Sequence, residues 1–289
     1  MTALARRFRG ATAGYLLVAP AVLTTVVFLL VPMVVSGYWS LTHYNGIRPP
    51  VWVGLDNYAD ILSDARFGRA FQNSIVFVII GMGIGPVLGL ASAILLNDAT
   101  RLRGLFRSAF FLPTMTSLIV VATIWKLLYS DNGIINAALE FFALPGHNWL
   151  SDPVTALPAV VATSIWQGFG FETVVFLAAL QSIPREYYEA ATVDGAGPWA
   201  RFRYVTLPGL RPTIVFVYVI GIIGSFQTFD QIFVMTNGGP VQATRTIVFD
   251  LVDRFNKLDL GAASAVAYIL LVFLAILSYI QLRVGEART

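Results

Sequence analysis

In a chain this apolar, chemistry has to come from the few polar side chains that interrupt its hydrophobic runs. The densest group lies in "SIWQGFGFETVVF", residues 164–176, which holds Trp166, Gln167, Phe169 and Glu172. An acid inside an apolar helix costs about 2.5–3.5 kcal/mol on insertion scales, so Glu172 is expected to face a bundle interior or water and is a candidate functional residue. Trp166 and Phe169 offer flat apolar faces while Gln167 and Glu172 offer hydrogen-bonding groups, the mixture expected of a small-molecule cavity. Around a helix, Gln167 points about 140° away from Glu172, whereas Gly168 shares its face. Further on, Gln227, Asp230 and Gln231 follow an i, i+3, i+4 spacing. They are expected on one face of a later helix, lining the same cavity.

Other chemistries find no support. Cysteine is absent, which rules out disulfides, thiolate metal sites and thiol nucleophiles. His43 and His147 are too few and too far apart for a metal centre and read as loop residues at a membrane edge. No G-x-x-x-x-G-K-[ST] phosphate loop occurs, so the chain cannot hydrolyse ATP itself. Thr24, Thr25, Ser92, Thr116 and Ser117 lie inside apolar runs and read as backbone-bonded packing residues. Gly81, Gly85 and Gly89 recur at i, i+4, i+8, which reads as a helix-packing row. No catalytic residue, metal ligand or bound cofactor is expected, and the chain is not expected to be an enzyme.

Composition says what must position these residues. The 289-residue chain is 57% hydrophobic and 12% charged, with a mean hydropathy of +0.73. A soluble domain is about a quarter charged, so the balance points to membrane. The net charge of +3 is scattered between apolar spans, which excludes a nucleic-acid partner. Charge-free runs cover 11–47, 70–97, 108–125, 153–171, 212–229 and 260–282. The first holds one crossing, to about Trp39, and the fourth continues through Glu172 to Ser182. A crossing needs about 20 residues, so six helices are expected. Arg6, Arg7 and Arg9 precede an apolar run longer than any signal-peptide core, which favours an uncleaved first helix.

Orientation follows from basic residues. With the N-terminus inside, Arg6, Arg7, Arg9, Arg101, Arg103, Arg107, Arg185, Arg201, Arg203, Arg211, Arg283 and Arg288 fall on the cytoplasmic side. Only Arg48, Arg66, Arg69, Lys126, Arg245, Arg254 and Lys257 fall outside. The bias predicts N-in and C-in. The expected fold is therefore an all-α polytopic membrane protein: a tail 1–10, a first helix with external loop 11–69, a five-helix core 70–283 and a tail 284–289. The unequal loops argue against two matched halves.

One cytoplasmic stretch, 184–211, holds four arginines, three acids, three glycines and three prolines. Pro184 suits a helix start, and "REYYEAATV" should run helically until Asp194 and Gly195, where glycine takes the left-handed cap. Pro198 should start a second helix, "WARFRYVT", ended by Leu207 and Pro208. Helices this short are marginal in water, so the loop is expected to be held by a partner.

The loop's spacing resembles a known signature. Glu189-Ala190-Ala191, three residues, Gly195, nine residues, then Val205-Thr206-Leu207-Pro208 is similar to the EAA motif of permease subunits in bacterial ABC importers, with Val205 in place of isoleucine. "YLLVAPAVL", "WVGLDNY", "FRSAFFLP", "IWKLLYSDNGIIN", the 164–184 stretch and "IFVMTNGGP" extend the likeness to the carbohydrate-uptake, maltose-transporter type over nearly the whole chain. The resemblance implies a multi-pass protein of a bacterial or archaeal cell membrane that imports a sugar. It implies a second homologous permease in a heterodimer, two cytoplasmic ATPase subunits that carry the ATP and Mg, and an extracytoplasmic sugar-binding protein. In such a family the loop holds a coupling helix that sits in a cleft of the ATPase. By motif position Glu189, Ala190, Ala191, Asp194, Gly195, Leu207 and Pro208 would make that contact.

The resemblance carries over no substrate contacts residue by residue. Glu172 then has two readings, a cavity wall or a partner for the second permease. The absence of a basic cluster at membrane depth favours a neutral sugar. An ion-coupled secondary transporter is the alternative, but Glu172 is the only clearly intramembrane acid and Asp230 sits at an edge. Because the chain has no cysteine, orientation can be read directly. Thr100→Cys and Thr192→Cys are expected to resist an impermeant thiol reagent in intact cells, and Ala243→Cys to react. Labelling of Thr192→Cys from outside would overturn the orientation.

Overall fold

The computed structural model describes residues 15–98 and 103–286. The expected tail 1–10, with Arg6, Arg7 and Arg9, lies outside the described residues, as do Arg101 and Arg288. In chain order the elements are α1 (Tyr15–Ser40), β1 (Thr42–His43), β2 (Val51–Trp52), α2 (Asp56–Ser63), α3 (Ala65–Asp98), α4 (Arg103–Met115), α5 (Leu118–Leu128), α6 (Ile134–Phe141), α7 (Ala156–Ser182), α8 (Arg185–Val193), α9 (Pro198–Gly209), α10 (Arg211–Phe226), α11 (Asp230–Met235), α12 (Ile247–Asn256) and α13 (Leu260–Glu286). The fold is all-α apart from the antiparallel β1–β2 pair.

Among the described residues, α1, α3, α7 and α13 are each long and apolar enough to cross a bilayer. The pairs α4–α5 and α9–α10 are bent by 104° and 63°, and counting each as one span gives six. The expected third crossing, 108–125, is therefore not a straight helix. Pro113 lacks a donor, Thr116 N–H turns back to Pro113 O at 3.1 Å, and Ser117 adopts an extended ψ of 132° before α5 begins.

The expected stop at Leu207 and Pro208 is also displaced. A π turn at Phe202–Thr206, closed by Leu207 N–H donating to Phe202 O, carries α9 through Pro208 to Gly209. Widening the turn by one residue ahead of a proline skips the donor that the ring lacks. In α1 the same device recurs, with a π turn at Val26–Leu30 immediately before Val31 and Pro32.

The chain forms two compact units. The first comprises the described residues up to Leu62 together with Leu251–Ile269. Asn57 Nδ2 ties the end of α1 to β1, donating to Ser40 O and Thr42 O at 2.9 Å each. Tyr268 Oη donates to Met33 O at 2.6 Å, and Gly261 N–H to Tyr44 O at 3.1 Å.

The second unit, Ser63–Asp250 and Leu270 onward, holds two apolar cores. One gathers Phe77, Tyr129, Leu157, Val160, Ile232 and Met235; the other gathers Ala93, Leu96, Phe176, Leu180, Leu210 and Val217. Helices α3 and α7 contribute to both. A glycine lets α4 approach α7: a Cβ on Gly170 would strike Phe110 O and come within 3.1 Å of Thr114 Oγ1. Overpacking of this kind costs about 1–3 kcal/mol. Gly170→Ala is expected to lower the melting temperature of the detergent-purified chain. Equal melting would show that α4 is not held so closely.

Candidate functional site

The second unit holds an open cavity of about 460 Å³ between α3, α7 and α10, lined also by Thr114, Leu118 and the segment entering α11. Six of the seven residues expected from sequence line it: Gln167, Phe169, Glu172, Gln227, Asp230 and Gln231. Trp166 does not, and its ring packs on Trp125 instead, 5.4 Å between centroids. The expected shared helix face for Gln227, Asp230 and Gln231 is not what brings those three together. Helix α10 ends at Phe226, and Gln227 N–H is shared between Ile223 O and Gly224 O. Phe229 leaves helical geometry at φ −133°, and Asp230 opens α11. Thr246 Oγ1 donates to Thr228 O at 3.1 Å and so occupies a carbonyl within this break.

At the centre is Gln167. Its Nε2 donates to Thr116 O at 3.1 Å, in the gap between α4 and α5. Its backbone O accepts from Thr114 Oγ1 at 2.8 Å, and its Oε1 accepts from Gln231 Nε2 at 2.9 Å. Ser164 Oγ in turn donates to Gln231 Oε1. One residue of α7 therefore joins the α4–α5 break to the start of α11.

Glu172 sits on the cavity wall against α3. A Cβ on Gly85 would lie 3.2 and 3.3 Å from its two carboxylate oxygens, and one on Gly89 would lie 2.7 Å from its Cβ. The glycine row read as packing does make room, at Gly85 and Gly89, for this one acid, while Gly81 meets nothing and lines the cavity. Glu172 Oε2 is buried with no hydrogen-bond partner among the described residues. Such an acid is costly unless something else offers it a donor.

Sequence reasoning missed Ser164, Thr114, Thr228, Phe171 and Phe229, all on the cavity wall. Ser164 could have been found, since it precedes Gln167 by three and shares its side of the helix. Thr114 carried a weaker cue, a hydroxyl directly after an intramembrane proline.

The loop 184–211 follows its local signals. Pro184 is the N-cap of α8, Asp194 its C-cap, and Gly195 has φ +79°. Gly195 N–H donates to Thr192 O at 3.0 Å and Ala196 N–H to Ala191 O at 2.8 Å, the two bonds of a Schellman motif. Glu189 and Ala190 are exposed and Ala191 is half-buried. Between α8 and α9 lies a groove of about 530 Å³ lined by Tyr187, Ala190, Ala191, Asp194, Tyr204 and Pro208, with Leu207 half-buried beside Pro208.

An all-α multi-pass chain with a mixed polar and apolar cavity among its spans and a helical loop outside them has the form of a membrane transport subunit, and this chain belongs to the family described as binding-protein-dependent transport system inner membrane component, which matches residues 85–288. It is a multi-pass inner-membrane protein. It is 32% identical to the trehalose/maltose transport system permease protein MalF of Thermococcus litoralis, over 98% of this chain and 96% of that one. It is 33% identical to the lactose transport system permease protein LacF of Rhizobium radiobacter, over 95% and 94%. In fold it resembles a chain of the bacterial alginate ABC transporter solved with an alginate pentasaccharide-bound periplasmic protein, with a TM-score of 0.87 at 22% identity over 98% and 97%.

Removing Gln167 should expose how much rests on it. Gln167→Leu strands Thr116 O and the Gln231 amide, and each buried unpaired group costs about 1–3 kcal/mol. The double variant with Gln231→Leu is expected to lose less than the sum of the two single losses in thermal unfolding. Strict additivity would show that the two amides do not interact.

Proposed function

We propose that this chain is a permease subunit of a binding-protein-dependent ABC importer for a sugar. It works beside a second homologous permease, two cytoplasmic ATPase subunits and an extracytoplasmic sugar-binding protein. ATP and Mg belong to the ATPase partners, and this chain supplies the path. The observation that carries the reading is α8 itself. A nine-residue helix, too short to stand alone in water, begins after Pro184, is closed by a Schellman motif at Gly195 and presents Glu189 and Ala190 outward. Such a rigid, low, charged projection suits a cleft on a soluble protein. End-to-end similarity to permease proteins of disaccharide transport systems supports the sugar.

The cavity favours a neutral sugar. Of its lining residues two are acids, Glu172 and Asp230, and none is lysine, arginine or histidine. A phosphate or uronate would meet like charge without a cation to offset it. Amides at Gln167, Gln227 and Gln231 and hydroxyls at Ser164 and Thr228 match sugar hydroxyls, with Phe169, Phe171 and Phe229 as apolar walls.

Two substitutions in the loop test the reading. Glu189→Lys reverses the exposed charge without touching the cavity. Gly195→Val places a β-branched residue at φ +79°, a strain of about 1–3 kcal/mol that tilts the projection. Both are expected to leave the protein inserted at normal levels, to weaken co-purification of the ATPase roughly tenfold, and to abolish uptake of labelled sugar. Survival of co-purification and of sugar-stimulated ATP turnover in both variants would refute the docking role.

A further inference from the structure

Helix α6 turns a largely apolar face outward. At 100° per residue Ile135, Asn136 and Leu139 share one face, and Ile134, Ala137, Ala138 and Phe141 share the other. The inward face carries one polar side chain, Asn136, between the partly buried Ile135 and Leu139. Asn136 is buried, donating through Nδ2 to Asp131 O and His147 O at 3.2 and 3.1 Å and accepting at Oδ1 from His147 N–H and Trp149 Nε1–H at 3.1 and 2.9 Å. The outward face is apolar. Ile134 is 71% exposed, Phe141 84% and the following Phe142 72%.

The end of the helix fixes this patch in place. Ala143 takes φ +57°, and Leu144 N–H returns to Leu139 O at 2.9 Å, so Phe142 and an exposed Leu144 extend the same surface. The patch is also continuous with a membrane span. Gly133, directly before α6, lies on the end of α5, where a Cβ would come within 2.7 Å of Leu127 O. Along α5 itself Ile119, Ile124 and Leu127 are exposed. Trp125, Tyr129 and Trp149 pack on one another at the end of α5, with centroids 5.4 and 6.0 Å apart, and join that end to the buried core. No lysine or arginine occurs from 127 to 184, while Asp131 precedes the helix and Glu140 lies in its last turn, so attraction to anionic headgroups is not what would hold it.

We propose that the outward face of α6, with Phe142 and Leu144, is seated in the headgroup–acyl boundary of the bilayer leaflet at which α5 ends, as an interfacial anchor for the bent α4–α5 span. The bound partner is lipid, taken up by apolar contact and not by charge. An anchor is needed there because α5 has 11 residues, about 16 Å of helix, and cannot span the hydrocarbon core by itself. With Gly133 packed on its last turn, α6 holds that end of α5 at a fixed depth.

The test uses the full, naturally cysteine-free chain in phosphatidylcholine nanodiscs, alone and with its co-purifying subunits. A fluorescent thiol probe is placed at Phe141→Cys, Phe142→Cys or Glu140→Cys, all exposed positions whose substitution spares the Asn136 hub. Lipids spin-labelled near the headgroup are expected to quench the Phe141 and Phe142 probes at least about twofold more than the Glu140 probe, in both preparations and equally with or without anionic lipid. Stronger quenching of the Phe141 probe by aqueous iodide than by lipid would overturn the proposal. So would lipid quenching that disappears when the other subunits are present, since a protein then covers the patch. A requirement for anionic lipid would overturn it as well.

Discussion

A helix that breaks inside a membrane leaves peptide groups with no water to bond, at several kcal/mol for each one left unpaired. In this protein the side chain of Gln167 makes such a break tolerable. It donates to Thr116 O in the gap between α4 and α5, accepts from Gln231 at the head of α11, and its own carbonyl accepts from Thr114 Oγ1. Two discontinuities in the fold are thereby satisfied by one residue of an unbroken helix. The cavity depends on this arrangement, because straight helices in place of α4–α5 and α10–α11 would bring apolar side chains where peptide edges and amides now stand.

Proline is handled by a second device. Pro32 and Pro208 each follow a five-residue π turn by one residue, and both helices continue through them. Pro113 has no such turn before it, and α4 ends two residues later. Pro86 lies inside α3 with no π turn before it and that helix also continues, so the π turn is one of the ways in which a span passes a proline. Glycine does complementary work on α3, where Gly85 and Gly89 accept the bulk of Glu172 on a helix face that would otherwise be closed to it.

What could be read from the sequence was what neighbours along the chain decide. The limits of α8 were legible because Pro184 and Gly195 act within one turn of themselves, and the Schellman bonds at Thr192 and Ala191 confirm that local logic. Hydropathy likewise found α1, α3, α7 and α13, whose lengths leave no other solution. It placed a crossing at 108–125 but not its bend, since an apolar run looks the same whether it is straight or bent, and the carbonyl acceptor that stabilises the bend lies 51 residues from its donor. Gln227, Asp230 and Gln231 were placed in one cavity for the wrong reason. Helical spacing suggested a common face, whereas the unwound turn at Thr228 and Phe229 is what turns them the same way. Trp166 was misplaced because helix phase alone does not say which aromatic meets a neighbour such as Trp125.

The cavity and the loop are joined by packing as well as by sequence. Helix α7, which carries Gln167 and Glu172, runs directly into Ile183 and Pro184 at the start of α8. At the far end of the loop, a Cβ on Gly209 would lie 2.8 Å from Ile183 Cδ1, so the close of α9 rests on the exit of α7. Leu210, the residue at the 63° bend, is fully buried in the core with Phe176 and Leu180 of α7 and Val217 of α10. Tyr188 Oη and Thr206 Oγ1, 3.0 Å apart, tie α8 to α9 across the loop. A close-packed core transmits displacement because it has no slack to absorb it. Movement of α8 therefore has contiguous contacts into α7 at Ile183, the helix that carries Ser164, Gln167 and Glu172, and into α10 at Leu210, which leads to the unwound turn carrying Gln227 and Thr228.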